Sequence, residues 1–100
     1  DIEININSLN RSLQNKRNST FELCNRFRNG EMKNWSLFAL TEELSGVYEQ
    51  TEQALKENEK YVQITGRPNC FYTQYSKFCD EFTQGLALVI ENKKMNGDFK

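Results

Sequence analysis

The chain has 100 residues, of which 37% are apolar and 27% are charged, and its formal net charge is -1. This length suits one domain with a single modest core, and the balanced charge argues against both a nucleic-acid binder and an acidic disordered tail. The longest apolar run, residues 86–90, is far shorter than the ~18 residues that a membrane span needs. Because the chain begins at Asp1 without a methionine or a leader, we expect domain 1–100 to be a piece of a longer protein.

The first predicted helix covers residues 2–29, where apolar side chains recur at spacings of three and four. These are Ile2, Ile6, Leu9, Leu13, Thr20, Leu23, Cys24 and Phe27. A polar run over residues 14–18 and the capping-box spacing of Ser19 and Glu22 leave a break near this point as an alternative. We expect one continuous helix that ends at the Asn-Gly pair of residues 29–30.

The second predicted helix covers residues 34–64. Its apolar side is assigned to Trp35, Phe38, Leu44, Val47, Tyr48, Thr51, Leu55, Tyr61 and Val62. Its polar side carries a net charge of about -4, since six glutamates oppose two lysines. They are Glu42, Glu43, Glu49, Glu52, Glu57 and Glu59, with Lys56 and Lys60. Gly46 costs about 1 kcal/mol relative to alanine inside a helix, which indicates either a close helix approach or simple tolerance.

A glycine followed by the only proline predicts a chain reversal at residues 65–69, and the third helix covers residues 69–95. Its apolar residues form one line and a flank beside it. The line holds Phe71, Tyr75, Phe78, Phe82, Leu86 and Val89, and the flank holds Tyr72, Cys79 and Ile90. It is the most apolar of the three helices.

These elements predict an all-α fold: an elongated, antiparallel, up-down-up three-helix bundle with coiled-coil-like packing. The short connections make consecutive helices antiparallel neighbours, and each helix is about 40 Å long. The apolar spacing near 3.5 residues indicates mild left-handed supercoiling. Residues 10–29 hold five basic side chains against one acidic side chain, so we expect the basic first helix to face the acidic second helix.

The sequence predicts no enzyme, no cofactor and no metal site. Histidine is absent, which removes the commonest general base and the usual triads and zinc sites. The acidic pairs Glu42-Glu43 and Asp80-Glu81 are helix neighbours whose side chains diverge, and the five glycines form no phosphate-binding loop. Adjacent acidic residues of this kind are typical of a solvated helix face.

The three cysteines are predicted to be buried free thiols, which indicates a reducing, cytoplasmic location. Cys24 and Cys70 fall near opposite ends of the bundle, Cys70 and Cys79 are about 13 Å apart along one helix, and Cys24 and Cys79 are expected at different heights. Three glycosylation triplets, which begin at Asn10, Asn18 and Asn34, leave secretion as an alternative. One or two such triplets are expected by chance among twelve asparagines, and the neighbour of Asn34 is placed near the core.

A cluster of aromatic residues at the start of the third helix suggests an interaction surface. Five of the twelve aromatic residues lie within residues 71–82, more than one helix face can bury. Either this helix is the centre of the core, or part of it receives a partner helix or a second copy of the chain. The predicted partner-binding residues are Phe71, Tyr72, Tyr75 and Leu88.

The function predicted from these features is a non-catalytic protein-interaction or scaffolding domain, such as an adaptor, in a larger protein or assembly. One alternative is a peripheral membrane-associating domain that uses the basic first helix. Its candidate anion-binding residues are Arg17, Arg26, Arg28 and Lys33. A third hypothesis is a secreted helical effector. Binding to nucleic acid is disfavoured, because the basic residues make only a partial stripe.

Overall fold

The computed structural model describes residues 1–98 and folds them into three α-helices. These are α1 (Ile2–Arg28), α2 (Leu37–Thr65) and α3 (Cys70–Met95). Each helix packs against the other two, which confirms the predicted three-helix bundle. The bundle measures 54 × 21 × 17 Å and is therefore elongated. The first helix is continuous through residue 18, as expected. Residues 99 and 100 of the predicted domain lie outside the part of the chain that the structure describes.

Local capping groups set the helix boundaries. The carboxylate of Asp1 accepts a hydrogen bond from the Glu3 backbone N–H at 3.1 Å, and the Ser36 hydroxyl accepts one from Ala39 at the same distance. Each bond satisfies a donor that a helix start leaves without an intrahelical partner. The second helix consequently begins at Leu37, three residues later than predicted, and the preceding turn buries the Met32 side chain.

The core runs along the axis of the bundle and receives apolar side chains from every helix. Its buried members are Leu13, Cys24, Met32, Leu40, Val47, Ala54, Tyr75, Cys79, Phe82, Leu86 and Ile90. Helix α3 supplies five of them and contacts both other helices. It is therefore the central helix of the core, which is one of the two interpretations of its aromatic residues. Trp35 is half-buried against this core.

The inward face of α2 differs from the prediction. Its buried residues are Leu40, Val47 and Ala54, which recur every seven residues. Phe38 and Tyr48, both assigned to the core side, are 74% and 60% exposed. Apolar residues that recur every seven positions form a row along a helix. Helix α2 contains two such rows, and the row that includes Tyr48 is shifted by one residue from the row that includes Val47. The one-residue shift turns a row by about 100° around the helix axis, and packing against α1 and α3 selects the row that starts at Leu40.

The close helix approach occurs at a different glycine from the one considered in the sequence. A Cβ atom at Gly85 would lie 2.7 Å from Cε1 of the Phe27 ring, so α3 leaves room there for an aromatic side chain of α1. The Phe27 ring also meets Phe82 edge-on, with centroids 6.0 Å apart. Gly46 has open space around its Cα hydrogens, which favours simple tolerance at that position.

Charged contacts join α1 to both neighbours. Lys16 Nζ lies 2.8 Å from a carboxylate oxygen of Glu57. This ion pair joins the basic α1 to the acidic α2, as predicted. Ser12 also donates a hydrogen bond to that carboxylate. Arg28, by contrast, forms an ion pair with Glu81 of α3. The expectation that the basic residues of α1 face α2 therefore holds for Lys16 and not for Arg28.

Candidate functional site

The predicted partner-binding residues of α3 do not form one surface. Tyr75 is fully buried, and its hydroxyl lies 3.3 Å from the Thr51 hydroxyl of α2. Its assignment to a partner surface was wrong, because α3 is enclosed by two helices and this residue points between them. Burial raises the pKa of the Tyr75 phenol well above its usual range. Phe71 and Tyr72 are half-buried against the core, and the rings of Tyr72 and Tyr75 are 6.4 Å apart.

Leu88 is separated from the other three residues. It is 61% exposed, and it follows Tyr72 by sixteen residues, which corresponds to about 24 Å along a helix. Leu88 lines a shallow groove between α1 and α3 whose wall includes Phe27 and Gly85. A single compact partner cannot rest on Tyr72 and Leu88 in the way that the sequence suggested, because about 160° of rotation also separates them around the helix axis.

Three of the four proposed anion-binding cations have partners within the protein. The Arg17 guanidinium lies 5.7 Å from the ring centre of Phe21, and its Nε donates a hydrogen bond to Gln74 at 2.8 Å. Arg26 Nε lies 3.7 Å from the carboxylate of Glu31, and Arg28 is paired with Glu81 as described above. These cations therefore neutralise acids or stack on aromatic rings.

The same cations also point in different directions. Arg26 follows Arg17 by nine residues, which places it about 180° away around α1, whereas Arg28 is on nearly the same side as Arg17. Lys33 lies in the connection between α1 and α2, outside any helix. The four residues therefore do not form the continuous basic stripe that binding to an anionic surface requires.

An exposed apolar row on α2 is the feature that the sequence interpretation placed in the core. Tyr48, Leu55 and Val62 are 60%, 44% and 36% exposed, and they recur every seven residues. At 1.5 Å rise per residue they stand about 10 Å apart and almost in line. We refer to these three residues as the α2 row. The sequence signal for this exposed row is the presence of two adjacent apolar series on one helix. Together they form an apolar face that is wider than two neighbouring helices cover.

The α2 row lies on the flank of α2 that borders α3. Glu57 marks the opposite flank, because its carboxylate bonds to Lys16 and Ser12 of α1. The row is about 160° from Glu57 around the helix axis. Its side chains consequently lie exposed beside the contact between α2 and α3.

Helix α3 runs antiparallel to α2, so its residues before about position 80 lie level with the α2 row. Tyr75 and Cys79 contact α2 directly, through the Thr51 hydroxyl. The next positions around α3 at this level are Tyr72 and Ser76, which are half-buried.

Exposed acidic side chains lie beside the α2 row. Glu52 and Glu59 are exposed and follow the α2 row on its solvent side, and Asp80 is exposed on the α3 side. Lys56 is the nearest cation to this edge, with its Nζ 4.0 Å from Glu52. The solvent side of the α2 row therefore carries two carboxylates, and one of them is next to an ammonium group.

The cysteine thiols differ from the prediction in two respects. Cys70 is exposed, and Cys24 lies at the same level of the bundle as Cys79, because its Sγ donates to the Phe78 carbonyl at 3.3 Å. Burial, with a smaller contribution from Glu81, raises the pKa of Cys24 to about 11. Burial raises the pKa of Cys79 as well. Both thiols remain protonated near neutral pH, and all three cysteines are free.

Two observations on the described residues bear on the remaining predictions. Within residues 1–98, no group of three or more acidic or cysteine side chains is arranged to hold a metal ion. No helix in that range combines the length and apolarity that crossing a membrane requires.

The three glycosylation triplets have different surroundings. Asn10 is half-buried, and its side-chain oxygen accepts a hydrogen bond from Asn69. The side chain of Asn18 accepts a hydrogen bond from Arg17 in the middle of α1. Asn34 is exposed in the connection between α1 and α2, although its neighbour Trp35 packs against the core as expected.

The fold and these surfaces define the protein as a small helical bundle with an exposed apolar row on α2. No protein-family model, curated protein or solved structure matches the chain. Functional assignment therefore depends on the geometry of the chain itself.

Proposed function

We propose that this bundle is a non-catalytic protein-interaction module that binds a helix of a partner protein on the α2 row. The observation that carries the proposal is the exposure of Tyr48, Leu55 and Val62 at seven-residue spacing. A helix that docks lengthwise on another helix presents apolar residues at this repeat. Tyrosine, which stands at one end of this row, is among the residue types that most often dominate binding energy.

A partner protein is favoured over a second copy of the chain. In a symmetric dimer, the same surface of each copy would face the other. The α2 row would then bring Glu52 and Glu59 of one copy towards the same residues of the next copy. Like charges brought together in this way oppose association, so a helix of different sequence suits this surface better.

The membrane-associating alternative is less well supported. Arg17, Arg26 and Arg28 already have partners inside the protein, and the exposed apolar row has acidic neighbours that an anionic lipid surface would repel. A cytoplasmic location remains part of our proposal, and the free thiols support it.

A direct test uses a designed 21-residue amphipathic helix with leucine at the heptad core positions and glutamine beside them. We expect binding to the protein, measured by fluorescence anisotropy, to weaken at least tenfold in Tyr48→Ala, because the ring supplies the largest apolar area of the row. Leu88→Ala is the matched control, since it removes an exposed apolar side chain from another face. Equal effects of the two substitutions, or none from Tyr48→Ala, would refute the proposed surface.

A further inference from the structure

Two adjoining hollows lie where the last turn of α1 meets α3. One is the shallow groove that Leu88 lines, which we call the Leu88 groove, and the other is lined by Met32 and Val89 and is called the Met32 pocket. We infer that together they bind a small amphiphile, a single alkyl chain that ends in a carboxylate. This site is separate from the α2 row, because the described residues that line the two hollows all belong to α1, α3 or the connection after α1.

The Leu88 groove presents an apolar surface to an alkyl chain. Its volume is about 440 Å³, and its apolar lining comes mainly from Phe27, Phe82 and Leu88. Gly85 also lines it, and the absence of a side chain there lets the Phe27 ring lie directly against α3. Small-molecule sites are typically hollows of about 300–1,000 Å³ with a mostly apolar lining and a few polar groups. The Leu88 groove has the size and lining of such a site.

The Met32 pocket extends the groove. Phe27 and Arg28 line both hollows, so the two meet at the end of α1. The pocket has a volume of about 310 Å³, and its apolar lining includes buried Met32 and half-buried Val89. An alkyl chain in the Leu88 groove can therefore bring its end group to Arg28 and remain in contact with the protein.

The charged side chains of the two hollows determine the end group. Two of them are cations, Arg28 and Lys33, and one is an acid, Glu81. Glu81 accepts hydrogen bonds from Nε of Arg28, at 2.9 Å, and from Nη2. A guanidinium carries five N–H donors, so three remain for a ligand. Within residues 1–98, no acid lies within ion-pair distance of Lys33. A carboxylate would thus receive charge-assisted hydrogen bonds, whereas an ammonium group would be repelled.

The preference for a carboxylate can be tested by calorimetric titration of the protein with decanoate, 1-decanol and decyltrimethylammonium, each below its micelle concentration. We expect decanoate to bind at least tenfold more tightly than decyltrimethylammonium at about 50 mM salt, with 1-decanol between them. Equal binding of the two charged probes would refute the carboxylate. Binding by none of the three would refute the site.

The position of the end group is tested by Lys33→Glu. The affinity for decanoate should fall at least fivefold, whereas the affinity for 1-decanol should stay within about twofold, because the alcohol carries no charge. Arg11→Glu is the matched control, since it makes the same change in net charge at an exposed position about 25 Å from Arg28 along α1. Equal losses in the two variants would show attraction by net charge alone and would overturn the assignment to Lys33.

The position of the alkyl chain is tested by Leu88→Ala. Decanoate and 1-decanol should both bind about threefold more weakly or worse, because the leucine side chain supplies apolar area to either probe. Leu55→Ala is the matched control, since it removes another exposed leucine, on α2. Circular dichroism checks that both variants keep their helices. Equal binding by the two variants would overturn the placement in the Leu88 groove.

Discussion

Two glycines lie inside helices and have opposite surroundings. Gly46 of α2 has open space where a Cβ would stand, whereas Gly85 of α3 faces the Phe27 ring at 2.7 Å. We expect Gly46→Ala to raise the free energy of unfolding by about 0.5–1 kcal/mol, because alanine favours the helix and restricts the unfolded chain.

At Gly85, alanine should lower the free energy of unfolding by about 1 kcal/mol. The methyl group would displace a ring that also packs on Phe82, and overpacking of this kind outweighs the gain in helix propensity. Urea denaturation of both alanine variants measures the two effects. Stabilisation by Gly85→Ala as large as that by Gly46→Ala would show that Phe27 moves aside without cost.

The thiols provide a second prediction for individual residues. Cys70 is exposed and should react with a thiol reagent within seconds to minutes at pH 8, whereas Cys24 and Cys79 should react only after unfolding. Counting the thiols modified before and after addition of denaturant measures this. Rapid modification of all three cysteines in the folded protein would contradict the observed burial.

The raised pKa of Cys24 predicts a loss of stability in alkali. The folded protein keeps this thiol protonated up to about pH 11, whereas the unfolded chain releases its proton near pH 9.0. Stability contributed by the neutral thiol is therefore complete below about pH 9 and is lost as pH rises towards 11. Urea midpoints at pH 7, 9 and 10.5 should fall over the last interval. The urea midpoint of Cys24→Ala should fall less over this interval. The same fall in the variant as in the unchanged protein would assign the effect to Tyr75 or Cys79.

At the scale of the elements, Asn69 connects the start of α3 to both other helices. Its side-chain oxygen accepts from the Phe71 backbone N–H at 2.9 Å, and its amide group donates to Asn10 of α1. Its own backbone N–H donates to the Asn58 side chain of α2 at 2.9 Å. One buried residue therefore caps a helix and fixes the level at which three helices meet.

We expect Asn69→Ala to lower the free energy of unfolding by about 2 kcal/mol, from the lost cap and the half-buried Asn10 side chain left without its donor. Asn69→Ser should lose about half as much, because serine keeps the cap and not the bond to Asn10. Thermal or urea unfolding compares the three proteins. Equal losses in the two variants would show that the cap contributes little.

At the scale of the whole molecule, the bundle is an elongated single body. Its radius of gyration over Cα atoms is 15.9 Å, against about 13 Å for a compact domain of this length. Because exposed Glu52 and Glu59 lie beside the α2 row, we expect a monomer at all concentrations up to about 1 mM. Light scattering with size exclusion gives the mass, and small-angle scattering gives the radius. A concentration-dependent dimer that Tyr48→Ala abolishes would assign the α2 row to a second copy.

Much of the architecture could be predicted from local signals in the sequence. Apolar spacing of three and four residues predicts helices, and the glycine and proline between residues 65 and 69 predict the reversal, because these effects act within a few residues of chain. Three long helices with short connections then permit few arrangements other than an antiparallel bundle. The fold class and the continuity of α1 belong to this group.

The rotation of each helix within the bundle was decided by tertiary packing alone. Val47 and Tyr48 are adjacent and each belongs to a heptad row, yet one is buried and the other is exposed. For the same reason Tyr75 is enclosed, while Leu88 lies on the surface. Periodicity gives the width of an apolar face, whereas the part of that face which neighbours cover depends on side-chain shapes contributed by all three helices. The sequence by itself therefore determined the helices, and only the tertiary structure decided which of their apolar residues remain exposed.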